Sequence, residues 1–291
     1  MLPLLQPASA CPHPDPLPRG ERETDRGVPA SRQPRHNALV STAHLRLHGD
    51  LADFTRASTG VLETGREPAS VTAHFSGAPA LKDVIESIGV PHPEIDLVLV
   101  DGRAASLDAA MHEGAHLEVF PAGAGPPGHV RLLPPPQDVP RFVLDGHLGR
   151  LMSLLRMLGF DSTWERDPTD EALAEISARE DRTLLTRDLG LLKRSLVRRG
   201  AFVRSTLHLA QGREVVERFA LRGKEKPFSR CLNCNGSLRE APDAATRVPP
   251  RVLERHDHFF VCQSCDRIYW AGTHHERMKD VIADLLGAAS P

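Results

Sequence analysis

The sequence predicts two folding units: an N-terminal α+β domain, and a C-terminal α/β domain that has a parallel sheet and an appended zinc ribbon. The prolines mark the division, because eight of the 25 lie before Ala38 and seven lie between Pro121 and Pro140. Beyond the second stretch, strand-like and helix-like segments alternate, which is typical of a parallel sheet covered by helices. Two C-x-x-C pairs near the end of the chain predict the ribbon.

Composition limits the possible functions. The chain has 291 residues, of which 40% are hydrophobic and 25% are charged, and this content excludes a wholly disordered chain. A formal net charge of -2 argues against binding nucleic acid through bulk charge, so a polyanion site must be local. No apolar run approaches the roughly 18 residues of a membrane-spanning helix, and no signal peptide is evident. We therefore expect a cytoplasmic protein without disulfides.

The N-terminal half begins with a proline-rich, charged stretch. Residues 1–37 contain too few aliphatic side chains to offset the entropy of ordering, so we predict a disordered leader in which Cys11 is inert. Residues 41–122 then read as one small domain. Alternating hydrophobic residues predict strands, and the i, i+3, i+4, i+7 spacing of Leu81, Val84, Ile85 and Ile88 predicts a helix. In order, the elements are strands at 44–48 and 71–75, a helix at 79–88, and strands at 96–100 and 117–120.

This order, together with the segment Asp-Val-Ile-Glu-Ser-Ile-Gly-Val-Pro-His-Pro-Glu at 83–94, resembles the ubiquitin-like β-grasp domain that accompanies a family of bacterial RNase-like proteins. Sulfur carriers with this fold end in a free Gly-Gly tail. Here no Gly-Gly pair follows the last strand, and the chain continues, so we expect a docking or structural role and a possible protein partner. Residues 123–140, with three consecutive prolines, are predicted to be a semi-rigid linker.

The C-terminal half places two acids at equivalent positions. Asp145 follows the predicted strand 142–144, Asp188 follows the strand 182–186, and a helix begins just after each. The carboxyl edge of an open parallel sheet is where ligands bind, and carboxylates held together there commonly bind a divalent cation. Each aspartate is alternatively only a helix N-cap. The other predicted elements are helices at 148–158, 169–179 and 189–196 and strands at 161–164 and 201–203.

Three segments of this half resemble the Mut-seven C-terminal RNase domain, a PIN-like family: 142–152, 155–161 and 184–188. The resemblance covers residues 141–287. It implies a metal-dependent ribonuclease in which Asp145 and Asp188 are catalytic acids that hold Mg²⁺ or Mn²⁺, with Asp170 as the third. A fourth acid stays open among Asp161, Asp167, Glu171 and Asp181.

Basic residues follow the second acid. Six cations stand against one acid between positions 187 and 204, and they are predicted either to contact phosphate or to form a solvated helix face. Arg150 and Arg156 flank the apolar stripe of the first helix, and each is predicted either to contact phosphate or to form a structural ion pair, while His147 is assigned no role. The predicted substrate-binding residues are Arg150, Arg187, Lys193 and Arg194; the other cations of the stretch are Arg198, Arg199 and Arg204.

The cysteine spacing is the most specific signal. Cys231, Cys234, Cys262 and Cys265 form two C-x-x-C knuckles, and four thiolates close the tetrahedral shell of a structural zinc. The predicted ribbon spans 228–272 with strands at 258–261 and 267–270, and a final helix is predicted at 278–286. The prediction is therefore a ribonuclease that binds RNA and carries structural Zn²⁺ and catalytic Mg²⁺ or Mn²⁺. The alternative is a non-catalytic RNA- or ribosome-associated adaptor.

Overall fold

The computed structural model describes residues 40–59 and 68–287. The predicted leader at 1–37, with Cys11, lies outside the described residues, and its disorder stays a prediction. No helix in the described ranges is both long and apolar enough to cross a membrane.

The elements of the N-terminal domain are β1 Val40–Leu47, α1 Ala52–Thr59, β2 Ala69–Ser76, α2 Leu81–Ser87, β3 Leu97–Val100, β4 Arg103–Ala104 and β5 Ala115–Phe120. Its strands form a mixed five-stranded sheet with the order β2-β1-β5-β3-β4, in which β1 and β5 are parallel and the other neighbours are antiparallel. Along β1, Ala43, Leu45 and Leu47 are buried while His44 and Arg46 are exposed, so period-2 patterning fixes which face packs on the helices. The ubiquitin-like α+β fold is confirmed.

The elements of the C-terminal domain up to the cysteine region are β6 Phe142–Leu144, α3 Gly149–Met157, β7 Ser162–Trp164, α4 Asp170–Glu180, β8 Thr183–Thr186, α5 Leu189–Leu192, β9 Gly200–Phe202 and α6 His208–Arg218. Its four strands form an entirely parallel sheet with the order β7-β6-β8-β9. The predicted α/β architecture is confirmed, and β6 and β8, which precede the two key acids, are direct neighbours. Helices α1 and α6 were not predicted.

The prediction of a long basic helix after Asp188 was wrong. Helix α5 ends at Leu192, and the chain then runs through turns to β9. A turn bond from the Val197 amide to the Arg194 carbonyl brings Val197 into the core, where it is fully buried, and leaves Leu196 48% exposed. The apolar face predicted for this helix therefore does not extend to Leu196.

The zinc-ribbon region follows α6. It contains the antiparallel strands β10 Leu238–Glu240, β11 Phe259–Cys262 and β12 Ile268–Trp270, with the short helix α7 Pro250–Leu253 between β10 and β11. Val248 from the intervening segment is buried against Phe259 and Val261, so the long spacing between the knuckles carries a small core of its own. The last helix, α8 Thr273–Leu286, is longer than predicted and packs on α6, where Gly212 admits the Leu285 side chain.

The N-terminal domain covers the open edge of β9. The Glu94 side chain is 0% exposed, and its carboxylate accepts a hydrogen bond from the Phe202 main-chain amide at 2.6 Å while it pairs with Arg218. The His92 ring lies 2.8 Å from the Val197 carbonyl, and Phe54 packs edge-on against Phe202. An edge strand leaves unpaired amides, so a buried carboxylate is a suitable cover for one of them. The Pro-His-Pro-Glu part of the 83–94 segment is thus the docking element.

The proline-rich segment between the domains is bound to both. The Leu132 amide donates to the Asp96 carbonyl at 2.8 Å in the N-terminal domain. On the other side, Arg199 donates to the Pro135 carbonyl, and Gln137 donates to Asp181. These contacts fix the path of the chain from β5 to β6.

Candidate functional site

Adjacent strands bring Asp145 and Asp188 to the same sheet edge. Strands β6 and β8 pair in parallel with Leu144 opposite Leu185, and the Asp145 amide donates to the Leu185 carbonyl at 3.1 Å. Each aspartate follows its strand on the carboxyl side, which is the edge where parallel sheets bind ligands.

Thr186 links the two acids. Its hydroxyl donates to Oδ2 of Asp145 at 2.9 Å and accepts from the main-chain amide of Asp188 at 2.9 Å. Thr186 is 0% exposed, so both hydrogen bonds are shielded from water at the threonine. One buried hydroxyl therefore fixes the Asp145 carboxylate relative to the backbone that carries Asp188.

Both aspartates also cap helices, as the alternative interpretation expected. Oδ1 of Asp188 accepts from the amides of Gly190 at 2.6 Å and Leu191 at 3.2 Å at the start of α5. Oδ1 of Asp145 accepts a long hydrogen bond, 3.4 Å, from the His147 amide. Capping uses Oδ1 in each residue, so it leaves ligand capacity on Oδ2 of Asp188, which accepts no hydrogen bond from the described residues.

Two glycines let the chain after β7 close over the loop that follows Asp145. A Cβ on Gly146 would lie 2.5 Å from the Arg166 carbonyl oxygen, and a Cβ on Gly149 would lie 2.9 Å from the Trp164 ring. The Trp164 indole donates to the Gly146 carbonyl at 3.1 Å. The Asp-Gly-His-Leu-Gly sequence is thus explained by close packing against Trp164 and Arg166.

The third predicted acid, Asp170, begins α4 at this edge. Its Oδ2 lies 4.0 Å from Nη2 of Arg194, and both side chains are about half exposed. This contact brings together one predicted metal ligand and one predicted phosphate contact. An exposed pair at this distance contributes little to stability.

Carboxylate oxygens are the donors that Mg²⁺ and Mn²⁺ prefer, so the residue types at this edge fit such an ion. The four cysteines, however, are the one group of three or more His, Cys, Asp or Glu within the described ranges whose ligand atoms lie close enough to hold a metal. Asp145, Asp170 and Asp188 do not form such a group with their present rotamers. Capping holds the present rotamer of Asp188, and the Thr186 hydroxyl holds that of Asp145, whereas the exposed Asp170 makes only its weak contact with Arg194.

The four candidates for a fourth acid lie at two different edges of the sheet. Asp161 and Asp181 precede β7 and β8, so they lie at the amino edge, opposite Asp145. Asp161 accepts from Arg182 at 2.6 Å and Asn235 at 2.8 Å, and Asp181 pairs with Arg199 at 2.8 Å. Both serve structural contacts, whereas Asp167 and Glu171 follow β7 at the carboxyl edge.

Much of the predicted basic surface is used inside the chain. Nζ of Lys193 donates to the Glu86 carbonyl at 2.6 Å, and Arg199 binds the interdomain segment. Arg204 pairs with Asp50 at 3.0 Å and covers the Phe54 ring. These cations therefore join the two domains.

Two further arginines have main-chain partners. Nη1 of Arg187 donates to the carbonyls of Val203, Arg204 and Ser205 at 2.6 to 2.8 Å, which fixes the loop after β9. The buried Arg156 donates to the carbonyls of Leu232 and Asn233 in the first knuckle. Arg156 is thus a structural residue, as one of its two interpretations held. Arg150 and Arg198 are exposed and make no polar contact within the described ranges.

The four predicted zinc ligands converge. Their sulfur atoms all lie within 4.8 Å of one another, with Cys231 3.6 Å from Cys265 and Cys234 3.3 Å from Cys262. Tetrahedral zinc with Zn–S bonds of about 2.3 Å separates neighbouring sulfurs by about 3.8 Å. The site therefore fits a four-thiolate metal ion and leaves no open coordination position.

The two knuckles have the same backbone geometry. Asn235 and Asp266, which follow the second cysteine of each pair, have φ of 70° and 58°, and their amides donate back to the carbonyls of Cys231 and Cys262. Asn and Asp adopt this left-handed conformation more readily than most residues. The local sequence thus turns each pair of thiols to the same point.

Hydrogen bonding favours the thiolate form at one ligand. Burial alone would raise the pKa of Cys231, but hydrogen bonds from the Tyr269 hydroxyl at 3.0 Å and from main-chain amides lower it to about 6. Because metals bind thiolates, these donors prepare the site for metal.

The fold and the sites define the class of this protein. It is a two-domain protein in which a ubiquitin-like domain is docked on a parallel α/β domain that has an acidic strand edge and a four-cysteine site. Residues 140–282 match the family model of the Mut7-C RNAse domain, and residues 40–125 match that of the Mut7-C ubiquitin domain. The chain thus carries a Mut7-C RNAse domain preceded by a Mut7-C ubiquitin domain, as the sequence resemblance implied. This family supports a nuclease role for the C-terminal domain.

The comparisons with curated proteins and with solved structures add no argument about function. No curated protein matches the chain. Two solved structures of small archaeal modifier protein 1 from Haloferax volcanii are similar to the ubiquitin-like part. One is 22% identical and covers 28% of this chain and 97% of its own, with a TM-score of 0.21. The other is 20% identical and covers 29% and 99%, with a TM-score of 0.22.

Sequence reasoning missed Thr186 and Glu94. Thr186 ends a strand two residues before Asp188, and this spacing was the available signal for the hydroxyl that joins the acids. Glu94 lay in the quoted 83–94 segment, but its partners, Phe202 and Arg218, are more than 100 residues away.

Proposed function

We propose that the C-terminal domain hydrolyses RNA phosphodiester bonds at the carboxyl edge of its sheet, with Asp145 and Asp188 as ligands of Mg²⁺ or Mn²⁺ and Asp170 as a third. One observation carries the proposal. In a domain of an RNAse family, two carboxylates end adjacent parallel strands and are joined through the buried Thr186 hydroxyl.

Each residue has a task that follows from its contacts. Thr186 holds Oδ2 of Asp145, so this carboxylate keeps a fixed orientation. Asp188 uses Oδ1 for the α5 amides and keeps Oδ2 for a ligand. A divalent cation bound here would supply charge neutralisation at the phosphate and an activated water. Asp170 joins the site when its side chain turns from Arg194, a rearrangement that an exposed pair permits.

The four-cysteine site is proposed to hold structural Zn²⁺. Its shell is complete with protein ligands, and Arg156 and Asp161 tie the first knuckle to the sheet. Reduced thiols suit the cytoplasm, where we place the protein. The ubiquitin-like domain has an intramolecular partner in β9, and we assign it a docking role on that basis.

A second candidate function is a non-catalytic RNA-binding adaptor. The observation that favours it is that Asp145 and Asp188 both cap helices, while the three aspartates are not gathered into a metal-sized group. In this case the carboxylates serve only local structure.

Cleavage of labelled RNA in Mn²⁺ distinguishes the two candidates. Asn is as good an N-cap as Asp, so Asp145→Asn and Asp188→Asn keep the caps and remove the charge. The matched control is Asp181→Asn, the same change at the opposite edge, where a φ of 48° suits Asn equally. We expect both site variants to lose at least 100-fold in cleavage and the control to keep wild-type activity. Equal activity in all four proteins, or no cleavage by wild type over varied RNAs, favours the adaptor.

A further inference from the structure

Most of the cations that the sequence predicted as RNA contacts have partners inside the chain, so basic residues other than these paired ones are needed to contact RNA. Arg187, Lys193, Arg199 and Arg204 bind carbonyls or carboxylates of the loop after β9, the interdomain segment and the ubiquitin-like domain. A cation that is already paired gains little from a phosphate, since it must give up its partner. The useful cations are those that are exposed, unpaired and close to the acids.

Two arginines meet these conditions. Arg150 is the second residue of α3, directly after Gly149, and Arg166 follows β7 by two residues. Both are exposed, and within the described ranges neither side chain has a hydrogen bond or ion pair. Their long side chains are therefore available to a ligand.

Packing places both arginines beside the Asp145 loop. The Arg166 carbonyl is so close to Gly146 that a Cβ there would approach it to 2.5 Å, and the Trp164 ring lies against Gly149, next to Arg150. The Trp164 indole also donates to the Gly146 carbonyl. The two arginines thus stand on two segments that are locked together around the residue following Asp145.

The acidic residues at this edge repel the backbone of a polyanion such as RNA, so cations are needed beside them. Glu165, Asp167 and Glu171 are exposed near Arg166, in addition to the site aspartates. An acidic edge suits a cation-dependent reaction, but it repels the phosphates on either side of the cleaved bond. The exposed guanidinium groups of Arg150 and Arg166 make no ion pair with those acids within the described ranges, so their positive charge can offset this repulsion.

We propose that Arg150 and Arg166 bind the RNA backbone, one phosphate each, on the side of the acidic edge that Asp145 occupies. This proposal rests on the proposed function and names how its substrate is held. Binding through phosphates is independent of base sequence. Arg166 had no role assigned to it by the sequence.

The test measures RNA binding apart from cleavage. A fluorescein-labelled single-stranded RNA is titrated, over a series of salt concentrations, with full-length protein that carries Asp188→Asn, so that the RNA stays intact. On this background, Arg150→Ala with Arg166→Ala is compared with Arg103→Ala with Arg198→Ala. The control removes the same charge from two arginines that are also exposed and unpaired, one in β4 and one at the amino edge of the sheet.

We expect the first pair to weaken binding at least tenfold and to reduce the slope of log K against log salt by about 1.4, since each lost contact to a single strand removes about 0.7. The control pair should change binding less than threefold and keep the slope. Arg150→Lys with Arg166→Lys should keep most of the affinity, because a phosphate contact needs the charge.

Equal effects of the two pairs, or no measurable RNA binding by the background protein at low salt, would overturn the proposal. Its failure is distinguishable from failure of the proposed function. Cleavage by wild type without dependence on Arg150 and Arg166 retains the nuclease and rejects the phosphate contacts. Binding that depends on these arginines, without cleavage by wild type, retains the contacts and rejects the nuclease.

Discussion

Thr186→Val tests the link between the two acids most directly. Valine keeps the shape of threonine but cannot donate to Oδ2 of Asp145 or accept from the Asp188 amide. A hydrogen bond to a charged group contributes about 1.5–3 kcal/mol, and a buried amide left unpaired costs about 1–3 kcal/mol. Because the carboxylates themselves are partly solvated at this edge, we expect a net loss of about 2–4 kcal/mol of unfolding free energy.

Two measurements follow from this loss. For a chain of this size each kcal/mol lowers Tm by about 2–4 °C, so thermal unfolding followed by circular dichroism should show a decrease of roughly 4–16 °C. RNA cleavage, measured well below that Tm, should fall at least tenfold, since Asp145 is then free to rotate. Thr186→Ser keeps the hydroxyl and should retain most activity. A Thr186→Val protein with wild-type Tm and wild-type cleavage would refute the role given to this hydroxyl.

Three other perturbations test the zinc site and the contacts around the sheet. Wild-type protein purified without chelator should contain about one zinc per chain by elemental analysis, and Cys262→Ser should contain much less and unfold at a lower temperature. Glu94→Ala should cost about 3–5 kcal/mol in urea unfolding, because it leaves the largely buried Arg218 guanidinium without its carboxylate partner. At Asp161, burial alone would raise the pKa, but hydrogen bonds from Arg182 and Asn235 outweigh it and hold the pKa below 3.8. The stability that the ionised Asp161 carboxylate contributes is therefore complete above pH 3.8 and is lost as the pH falls through the lowered folded-state pKa. In this acid range, Tm should therefore depend less on pH for Asp161→Asn than for wild type.

Each of these has a control or a contrary outcome. Wild-type zinc content in Cys262→Ser would remove that cysteine from the ligand set. Glu94→Gln keeps an acceptor for the Phe202 amide and should lose less stability than Glu94→Ala; equal losses would mean that this hydrogen bond adds nothing. Parallel Tm curves for wild type and Asp161→Asn at low pH would show that this carboxylate does not titrate with unfolding.

Local patterns were enough for most elements of the fold. Alternation gave β1, and the spacing of Leu81, Val84 and Ile85 gave α2, because burial of one face is a property of sequence period. The same method was wrong after Asp188. A run of leucines at helical spacing was available there, yet a turn that buries Val197 ends the helix early. Tertiary packing overrode the periodicity at that point.

The cysteine site shows how far short-range information extends. Two residues between thiols, with Asn235 or Asp266 in a left-handed conformation after them, bring each pair together, so the sequence alone identified the four cysteines that converge into a group able to hold a metal. The proximity of the two acids could not be predicted from short-range sequence patterns. The sequence placed Asp145 and Asp188 at strand ends, but only the strand order made those ends neighbours.

The sequence by itself determined that this chain carries strand-end acids, a four-thiolate site and a cluster of basic residues. Only the tertiary structure decided what the basic residues do. Lys193 and Arg204 face carbonyls and carboxylates of a domain more than 100 residues earlier in the chain, and Arg166 is left exposed beside Asp145. The reason is physical: the role of a charge depends on its nearest partner in space, and no period or spacing in the sequence encodes that partner.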